Sequence, residues 1–362
     1  MSDSVSKEFI YSTEARRVVF GAGVVQHVGR EVELLGASRA LILSTPEQSA
    51  DAERVASCLG ENAAGVFAKA VMHVPIETAR AARAEAGRRH ADCIVAVGGG
   101  STTGLAKAIA LESSLPIIAI PTTYAGSEVT PIYGLTEGGM KRTGKDLRVL
   151  PRTVIYDPEL TLSLPATLTM TSGINAIAHA AEGLYAKDSN PIMNLFAAEG
   201  IRAFAAALPV LRRHPQDLDA RSEALYGAWL CGTVLGAVGM ALHHKLCHTL
   251  GGSFNLPHAE VHTVILPHAI AYNASAAPRA MTQIARALGT QSASEGLYDL
   301  AHTQGAPCAL RDIGMRESDL DLAAELAASN PYWNPRPIER SAIRVLLQHA
   351  YEGSRPAAGE AA

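Results

Sequence analysis

The pattern of hydrophobic and polar positions along the chain changes near residue 160. Before this point, short apolar runs alternate with segments whose apolar residues recur at helical spacing. After it, strand-like runs nearly vanish and long Ala- and Leu-rich segments follow. Apolar runs that alternate with helices indicate a parallel sheet with helices on both faces. The pattern therefore predicts a Rossmann-like α/β domain with a doubly wound parallel sheet over residues 1–160, followed by an all-α domain over residues 161–362.

The individual elements follow from the same periodicities. In the first half, strands are predicted over 39–44, 64–68, 94–97 and 116–120. Helices are predicted between them over 49–59, 76–90 and 101–111. In the second half, helices are predicted over 171–186, 192–211, 220–250, 278–287 and 318–328.

Composition excludes several classes of partner. The 362 residues are 48% hydrophobic and carry a formal net charge of −4, with no Lys/Arg-rich run, so nucleic-acid binding is not expected. No uninterrupted apolar stretch of about 18 residues is present, and no membrane span is expected. The five cysteines are scattered, and the N-terminal residues lack the apolar segment of a secretory signal. These features predict a cytoplasmic protein with free thiols.

A glycine triplet, Gly98 to Gly100, lies between a predicted strand and a predicted helix and is followed by Ser101. Glycines allow the backbone to approach a pyrophosphate closely, and the first N–H groups of the helix favour its charge. The four residues are therefore predicted to bind a dinucleotide, with an N-cap role as the alternative for Ser101. The segment 21–26 begins like a second fingerprint but lacks the third glycine and the later acid, so it is interpreted as a turn.

A second polar loop follows the predicted strand 116–120. It carries Thr122, Thr123, Tyr124 and Ser127, whose hydroxyl groups suit ribose, the nicotinamide amide or substrate. Loops at the carboxyl ends of parallel strands hold the ligands of such sheets. The alternative for this loop is an ordinary polar turn.

Histidines cluster in the second half of the chain. Asn175 and His179 are spaced i, i+4, as are His244 and His248, and His258 follows after a glycine-containing loop. A carboxylate at 175 would complete a divalent-metal site, whereas an amide is a neutral and weak ligand. The sequence therefore predicts chemistry without a metal, carried by the cluster, although any single histidine here has a buried structural role as its alternative. Cys247 lies within the cluster, and ligand, nucleophile and packing roles all stay open for it.

Two further segments carry candidate residues. The segment 330–337 contains three prolines, which restrict its backbone and would present Tyr332 and Arg336 rigidly, unless the loop serves only to close onto a helix. Lys141 follows two glycines in a predicted hairpin. Binding near the cofactor and a solvated surface charge are its two interpretations.

The motifs together resemble the iron-containing alcohol dehydrogenase superfamily, with its dehydroquinate synthase-like fold, and within it the maleylacetate reductase branch. They span residues 98 to 338 and read GGGSTTGLAKAIAL, PTTYAGSEVTPIYGLTE, MKRTGKDLRVLPRTVIYDPELT, GINAIAHAAEGLYA, HHKLCHTLGGSFNLPHAE and NPYWNPRPI. The resemblance implies an active site in the cleft between the two domains, a homodimer, and NADH as cofactor. NADPH stays open, because Thr45, after Ser44, stands where some relatives carry an acid that selects the adenosine ribose.

The resemblance also implies roles for single residues. The metal ligands of the metal-dependent relatives correspond to Asn175, His179, His244 and His258, and the first of these is changed. Many relatives have aspartate where this chain has Gly104. Both departures agree with the reductase branch. Lys141 corresponds to a lysine near the cofactor ribose.

The implied reaction is the NAD(P)H-dependent reduction of the carbon–carbon double bond of maleylacetate, a small dicarboxylate, to 3-oxoadipate in aromatic catabolism. Hydride addition β to the ketone produces an enolate, which needs a hydrogen-bond donor. His244 and His248 are the first candidates, Tyr332 is the further catalytic candidate, and Lys245 and Arg336 are expected to bind the carboxylates. Further substrate contacts are expected from the residues Asn175, His179, His258 and Tyr124, with Arg142 as an additional cation. The competing functions are a metal-dependent alcohol or polyol dehydrogenase and a non-enzymatic dinucleotide sensor.

Overall fold

A six-stranded, all-parallel sheet forms the N-terminal half of the protein, in the order β1-β8-β5-β4-β2-β3. The computed structural model describes residues 9, 11, 14, 16–138 and 140–357. Its strands are β1 (Arg17–Phe20), β2 (Ala40–Leu43), β3 (Ala63–Phe67), β4 (Cys93–Gly98), β5 (Ile117–Pro121), β6 (Ile132–Glu137), β7 (Met140–Lys145) and β8 (Thr153–Tyr156). Every residue of β2, β4 and β5 is buried, as expected of strands covered on both faces.

Helices lie between the strands and form the whole C-terminal half. They are α1 (Val28–Leu34), α2 (Ser49–Leu59), α3 (Ile76–Arg88), α4 (Gly100–Ser113), α5 (Ala166–Gly183), α6 (Pro191–Arg213), α7 (Leu218–Ala237), α8 (Leu242–Phe254), α9 (His258–Asn273), α10 (Pro278–Leu288), α11 (Ala293–Thr303), α12 (Leu320–Ser329) and α13 (Arg340–Glu352). The predicted fold class, a doubly wound parallel sheet followed by helices, is confirmed. A short 3-10 turn, Pro158–Thr161, joins the two halves, and their division into separate domains stays a prediction.

The predicted strands and helices of the first half are confirmed, whereas the strands β1 and β8 and the helix α1 were not predicted. β1 and β8 are each four residues long and pair with each other in parallel. β6 and β7 form an antiparallel hairpin beside the main sheet, as the glycines at its tip predict. In the turn at 21–25, the Asp157 carboxylate accepts hydrogen bonds from the N–H groups of Gly23 and Val25 at 3.0 Å each. This confirms the turn. Because the N–H groups of Gly23 and Val25 already donate to Asp157, they are not available to a phosphate.

The single helix predicted over 220–250 is wrong. The chain forms α7 and α8 instead, with a bend of 95° between them. At the break, Asp188 accepts a hydrogen bond from the Gly239 N–H at 2.8 Å, and Glu182 accepts one from the Ala241 N–H at 2.8 Å. These carboxylates replace the intrahelical partners that a continuous helix would provide. α9, α11 and α13 were not predicted either.

α6 is long and apolar enough to cross a membrane by length and composition, as are α7 and α8 if they are counted as one bent span. Many residues of α6 are nevertheless buried in the core that it shares with α5 and α7. A core helix of a globular protein passes the same test, so this finding does not by itself indicate a membrane span.

Candidate active site

Three loops with predicted cofactor residues lie side by side at the carboxyl edge of the sheet. They follow β2, β4 and β5, which are adjacent in the strand order. The strand order reverses between β2 and β4, and such a switch point is where open parallel sheets bind ligands. The side chain of Gln48 joins two of the loops by donating to Thr122 Oγ1 at 2.5 Å. The sequence therefore brings its separate cofactor motifs to one place.

The glycine turn after β4 has no room for side chains. Gly98 has a φ of +149°, and a Cβ there would lie 2.5 Å from Thr102 Oγ1. A Cβ on Gly99 would lie 2.9 Å from Thr123 Oγ1. α4 begins at Gly100 with Gly99 as its N-cap and no side-chain cap, so the N-cap alternative for Ser101 is wrong. The first N–H groups of α4 are thus not capped by a side chain, as phosphate binding requires.

The loop after β2 contains Ser44 and Thr45. Ser44 is fully buried, and its hydroxyl has no hydrogen-bond partner among the described residues. Thr45 is partly exposed, and two residues later comes Glu47, a carboxylate that the sequence analysis missed. Hydrogen bonds from the Glu47 N–H and the Thr45 hydroxyl lower the pKa of the Glu47 carboxyl. An anionic group therefore stands beside the position where an adenosine ribose is expected.

The loop after β5 divides into exposed and buried hydroxyl groups. Thr123 and Ser127 are partly exposed and Thr122 is buried beside Gln48, and all three stay cofactor candidates. Tyr124 requires a correction, because it is fully buried, packs edge-on against Phe204 and accepts a hydrogen bond from Arg221 at 3.2 Å. Tyr124 is a core residue and not a substrate ligand.

Lys141 lies on β7 opposite Thr136, and its side chain is outside the described residues. Its predicted contact with the cofactor ribose stays a prediction. Its neighbour Arg142 lies near Glu137, with a nitrogen–oxygen distance of 3.6 Å on an exposed part of the hairpin. Arg142 therefore has a carboxylate partner of its own.

The predicted histidines come together where α5, α8 and α9 meet. The ring centroids of His179 and His244 are 5.2 Å apart, and those of His244 and His248 are 6.1 Å apart. Asn175 and His179 are both buried on α5, one turn apart, while His248 and His258 are exposed. Helical spacing predicted that Asn175 and His179 share one face of α5 and that His244 and His248 share one face of α8. That the two faces lie against each other is shown only by the structure.

Glu182 organises this cluster and was missed by the sequence analysis. Its buried carboxylate accepts hydrogen bonds from the N–H groups of Ala241 at 2.8 Å and His243 at 2.6 Å, at the start of α8. It also lies 2.7 Å from Nδ1 of His244. A carboxylate only accepts, so Nδ1 of His244 carries the hydrogen, and Nε2 is directed away from Glu182. The sequence could have indicated Glu182, because its spacing from Asn175 and His179 places it on the same face of α5.

Four buried polar atoms in the cluster have no hydrogen-bond partner among the described residues. They are Asn175 Oδ1, His179 Nδ1, His244 Nε2 and, on the neighbouring His262, Nε2. Buried polar atoms without partners are rare in folded proteins and commonly mark a ligand site. Burial, reinforced by the neighbouring histidines, lowers the pKa of His179 well below its usual value. His179 is therefore neutral near pH 7 and does not offer a positive charge to a substrate carboxylate.

A second layer of side chains supports the histidines from inside. His243 Nε2 lies 2.9 Å from His262 Nδ1, and Cys247 Sγ lies 3.6 Å from His243 Nε2. Burial lowers the pKa of both imidazoles well below the usual value and raises the pKa of the Cys247 thiol well above it. A buried, protonated thiol is a poor nucleophile, so that alternative for Cys247 is not favoured. The three donor atoms do lie within 4.8 Å of one another, which keeps the ligand alternative open.

The proline-containing loop packs against α8 and brings Tyr332 to the cluster. Tyr332 Oη lies 3.0 Å from His248 Nδ1, and Lys245 Nζ lies 5.8 Å from the centre of the Tyr332 ring. Asn334 fixes the loop through a reciprocal pair of amide hydrogen bonds with Asn273, at 3.0 and 2.7 Å. His248, Tyr332 and Lys245 therefore form a polar group at the exposed side of the cluster.

Arg336 was predicted to bind a substrate carboxylate, and in the structure its guanidinium contacts Tyr272. Its guanidinium lies 4.1 Å above the ring of Tyr272 and donates to the Tyr272 carbonyl at 3.2 Å. These contacts tie the loop to the end of α9. Carboxylate binding by Arg336 stays a prediction, and its stacking on Tyr272 is an additional structural role.

Comparison with known proteins gives a consistent result. A model of iron-containing alcohol dehydrogenases matches residues 15–158, and the C-terminal model of the Fe-containing alcohol dehydrogenase family matches residues 169–351. The maleylacetate reductase of Burkholderia cepacia is 67% identical over 348 residues, which are 96% of this chain and 99% of that protein. The crystal structure of maleylacetate reductase from Agrobacterium tumefaciens has a TM-score of 0.94 and 58% identity, covering 96% of this chain and 99% of that one. The maleylacetate reductase structure from Rhizobium sp. strain MTP-10005 has the same TM-score of 0.94 and 58% identity, with coverage of 97% and 100%.

Proposed function

Because this chain belongs to the iron-containing alcohol dehydrogenase family, we propose that it reduces the carbon–carbon double bond of maleylacetate to give 3-oxoadipate, with NAD(P)H as reductant. The maleylacetate reductases of Burkholderia cepacia and of Rhizobium sp. (strain MTP-10005) match almost the entire chain, at 67% and 58% identity. The observation that carries the proposal is the buried amide of Asn175, one turn from His179 on α5, where a metal-dependent relative is expected to have a carboxylate. The site is thus suited to hydrogen-bond catalysis on an oxyanion.

The cofactor is proposed to bind across the loops after β2, β4 and β5. The pyrophosphate would lie on the glycine turn at the start of α4, and the nicotinamide would point towards α5 and α8. Glu47, beside Thr45, would accept hydrogen bonds from the adenosine ribose and repel a 2′-phosphate. The proposal therefore includes a preference for NADH over NADPH.

The name of the family implies iron, and the donor set fits iron poorly. Asn175, His179, His244 and His258 supply one amide oxygen and imidazoles, with no anionic ligand. The nearby carboxylate of Glu182 is occupied by N–H groups of α8 and by His244. Non-haem iron sites with an open position typically combine two histidines with a carboxylate. The proposed mechanism accordingly runs without a metal.

When bound, the reduced nicotinamide would supply the hydride that adds to the alkene carbon β to the ketone. His244, held by Glu182 through Nδ1, directs Nε2 to the developing enolate oxygen. When His244 is protonated, the Glu182 carboxylate balances its charge, so Nε2–H is a charge-assisted donor. One such donor in a site that excludes water is worth about 3–4 kcal/mol of transition-state stabilisation. His244 thus takes the role that a Lewis acid has in a metal enzyme.

The second half of the reaction needs a proton at the carbon next to the carbonyl. His248 and Tyr332 share a hydrogen bond at the exposed side of the cluster, so either can deliver this proton, and solvent can replace it. Lys245, close to the Tyr332 ring, offers a positive charge to a substrate carboxylate. His258 and Arg336 are the further candidates for carboxylate binding. A cytoplasmic homodimer completes the proposal.

The competing function is a metal-dependent alcohol or polyol dehydrogenase of the same family. Two assays separate it from the proposal. The first follows the loss of NADH or NADPH absorbance with maleylacetate, and the second follows the gain of this absorbance from NAD⁺ or NADP⁺ with simple alcohols and diols. The proposal expects NADH consumption that depends on maleylacetate, weaker use of NADPH, and negligible alcohol oxidation. Alcohol oxidation as the dominant activity would replace it by the competing function.

A further inference from the structure

Lys107 is a completely buried lysine on α4, about two turns after the start of this helix. Its ammonium group donates to the carbonyl oxygens of Ser127 at 2.7 Å, Thr130 at 2.8 Å and Ile132 at 2.7 Å. It also donates to Thr130 Oγ1 at 3.0 Å. All four acceptors belong to one segment, residues 127–132, which continues the polar loop after β5.

The surroundings of Lys107 are unusual for a buried cation. Among the described residues it has no carboxylate within ion-pair distance. The charge of the Glu128 carboxylate acts on Lys107, and Glu128 itself accepts a hydrogen bond from the Tyr156 hydroxyl at 2.9 Å. Burial lowers the pKa of Lys107 to about 7, with the charge of Glu128 acting in the opposite direction. A desolvated charge is costly, so carbonyl oxygens that surround it are held strongly in place.

The connection made by Lys107 joins two parts of the expected cofactor site. α4 carries the glycine turn at its first residues. The segment that Lys107 holds includes Ser127 and follows Thr122 and Thr123, whose hydroxyl groups are cofactor candidates. A glycine turn and a hydroxyl loop must keep a fixed separation to contact the same dinucleotide, because small displacements of binding groups weaken a bound geometry strongly.

We propose that Lys107 is a positioning residue for NAD(P)H, which sets the distance between the glycine turn of α4 and the loop after β5 by holding three carbonyl groups of that loop. This inference rests on the proposed use of NAD(P)H. Lys107 touches neither cofactor nor substrate in this account. It acts on cofactor affinity and leaves the chemistry on α8 unaffected.

The test is a fluorescence titration with NADH of Lys107→Met, a neutral variant of similar length. The dissociation constant for NADH should rise about tenfold or more, because the loop loses its common donor. With NADH saturating, kcat and the KM for maleylacetate should stay within about twofold, since the histidine cluster is intact. Hydrogen exchange of the amides in residues 121–132 should accelerate.

Arg221→Met is the matched control. Arg221 is also fully buried and donates to the carbonyl groups of Pro215 at 2.9 Å and Leu164 at 3.2 Å, in the helical half. It also donates to the Tyr124 hydroxyl at 3.2 Å, which is a side chain and not a backbone carbonyl group of the loop after β5. Its loss should lower thermal stability and leave NADH affinity nearly unchanged. If Lys107→Met and Arg221→Met have the same effect on stability and neither changes NADH affinity, Lys107 is only structural and the inference is overturned.

A milder variant keeps the inference testable if Lys107→Met does not fold. Thr130→Val removes one acceptor of Lys107 and retains the side-chain shape, so NADH affinity should fall about threefold with a near-normal melting temperature. An unchanged affinity in Thr130→Val would contradict the inference. Failure of the unaltered protein to bind NADH or NADPH would instead contradict the proposed function, so the two failures are distinguishable.

Discussion

Nδ1 of His244 lies 2.7 Å from the carboxylate of Glu182, and both side chains are buried. The same carboxylate receives backbone N–H groups from the start of α8. The catalytic candidate and the helix that carries it are thus oriented by one acid. In metal sites, a carboxylate behind a histidine sets which ring nitrogen is free, and in the proposed mechanism the same arrangement orients a hydrogen-bond donor.

Glu182→Gln tests this orientation. A glutamine amide cannot accept from the Ala241 and His243 N–H groups and from His244 together, so one donor is left unpaired. We expect the free energy of unfolding to fall by about 1–3 kcal/mol. We also expect kcat to fall about 10²-fold, because His244 loses its orientation and its balancing charge.

The control for this variant is Glu199→Gln on α6. Glu199 forms an exposed ion pair with Arg202 at 2.6 Å, and exposed pairs contribute about 1 kcal/mol or less. It should change neither kcat nor stability much. A normal kcat in a folded Glu182→Gln protein would remove Glu182 from the mechanism.

The donor role is tested by His244→Ala and His248→Ala. We expect kcat to fall about 10²-fold or more in His244→Ala, with the dissociation constant for NADH nearly unchanged. His302→Ala is the control, because His302 is exposed near the end of α11 and its ring stacks on Tyr298. Tyr332→Phe removes the hydroxyl next to His248 and should reproduce the effect of His248→Ala if the two act as a unit. Near-normal turnover of both histidine variants at saturating maleylacetate would exclude these residues as donors.

Helical spacing was sufficient to find the faces of α5 and α8, because residues four apart on a helix always share a face. It predicted the pairs Asn175 and His179, and His244 and His248. The meeting of α5 with α8 depends on the break between α7 and α8. That break arises from carboxylates distant in sequence, at Asp188 and Glu182, so periodicity within 220–250 predicted one continuous helix.

The failure for Tyr124 has a different physical cause. A hydroxyl residue in a loop at the carboxyl edge of a sheet is equally compatible with binding a ligand and with closing the core. Burial decides between the two, and it depends on Phe204 and Arg221, which belong to other helices. The surroundings of Lys107 could not be predicted either, because three of its acceptors are backbone carbonyl groups, which leave no pattern in the sequence.

Gly100→Ala is a clean test of the glycine turn. A Cβ at Gly100 would lie 3.7 Å from the Ala125 Cβ, an ordinary contact, whereas one at Gly99 would press on Thr123. Alanine also stabilises a helix by about 0.5–1 kcal/mol relative to glycine. We therefore expect equal or higher stability together with an NADH dissociation constant raised about tenfold, since the methyl group obstructs approach to the pyrophosphate. Unchanged NADH affinity would mean that the phosphates bind elsewhere.

Buried His268 predicts a loss of stability in acid. Burial, with a smaller effect of His349, lowers the pKa of His268 to about 3. An unfolded histidine takes up a proton below about pH 6.5, while folded His268 does not, so the unfolded state binds more protons. Stability should therefore fall with decreasing pH by about 1.4 kcal/mol per pH unit from this residue, between about pH 6 and pH 3. The free energy of unfolding, measured with urea at several pH values, should depend less steeply on pH in His268→Gln than in the unaltered protein. The same pH dependence in both proteins would contradict this role of His268.

The central claim is that the histidine cluster performs the reduction without a metal. It is tested most directly by NADH oxidation with maleylacetate after exhaustive chelation, with metal content measured on the same sample. Asn175→Asp, which restores an anionic ligand beside His179 and His244, is assayed in parallel. The account predicts full activity of the unaltered protein with far less than one metal per chain, and increased metal binding by Asn175→Asp. Activity that is lost on chelation and restored by stoichiometric iron or zinc would contradict it.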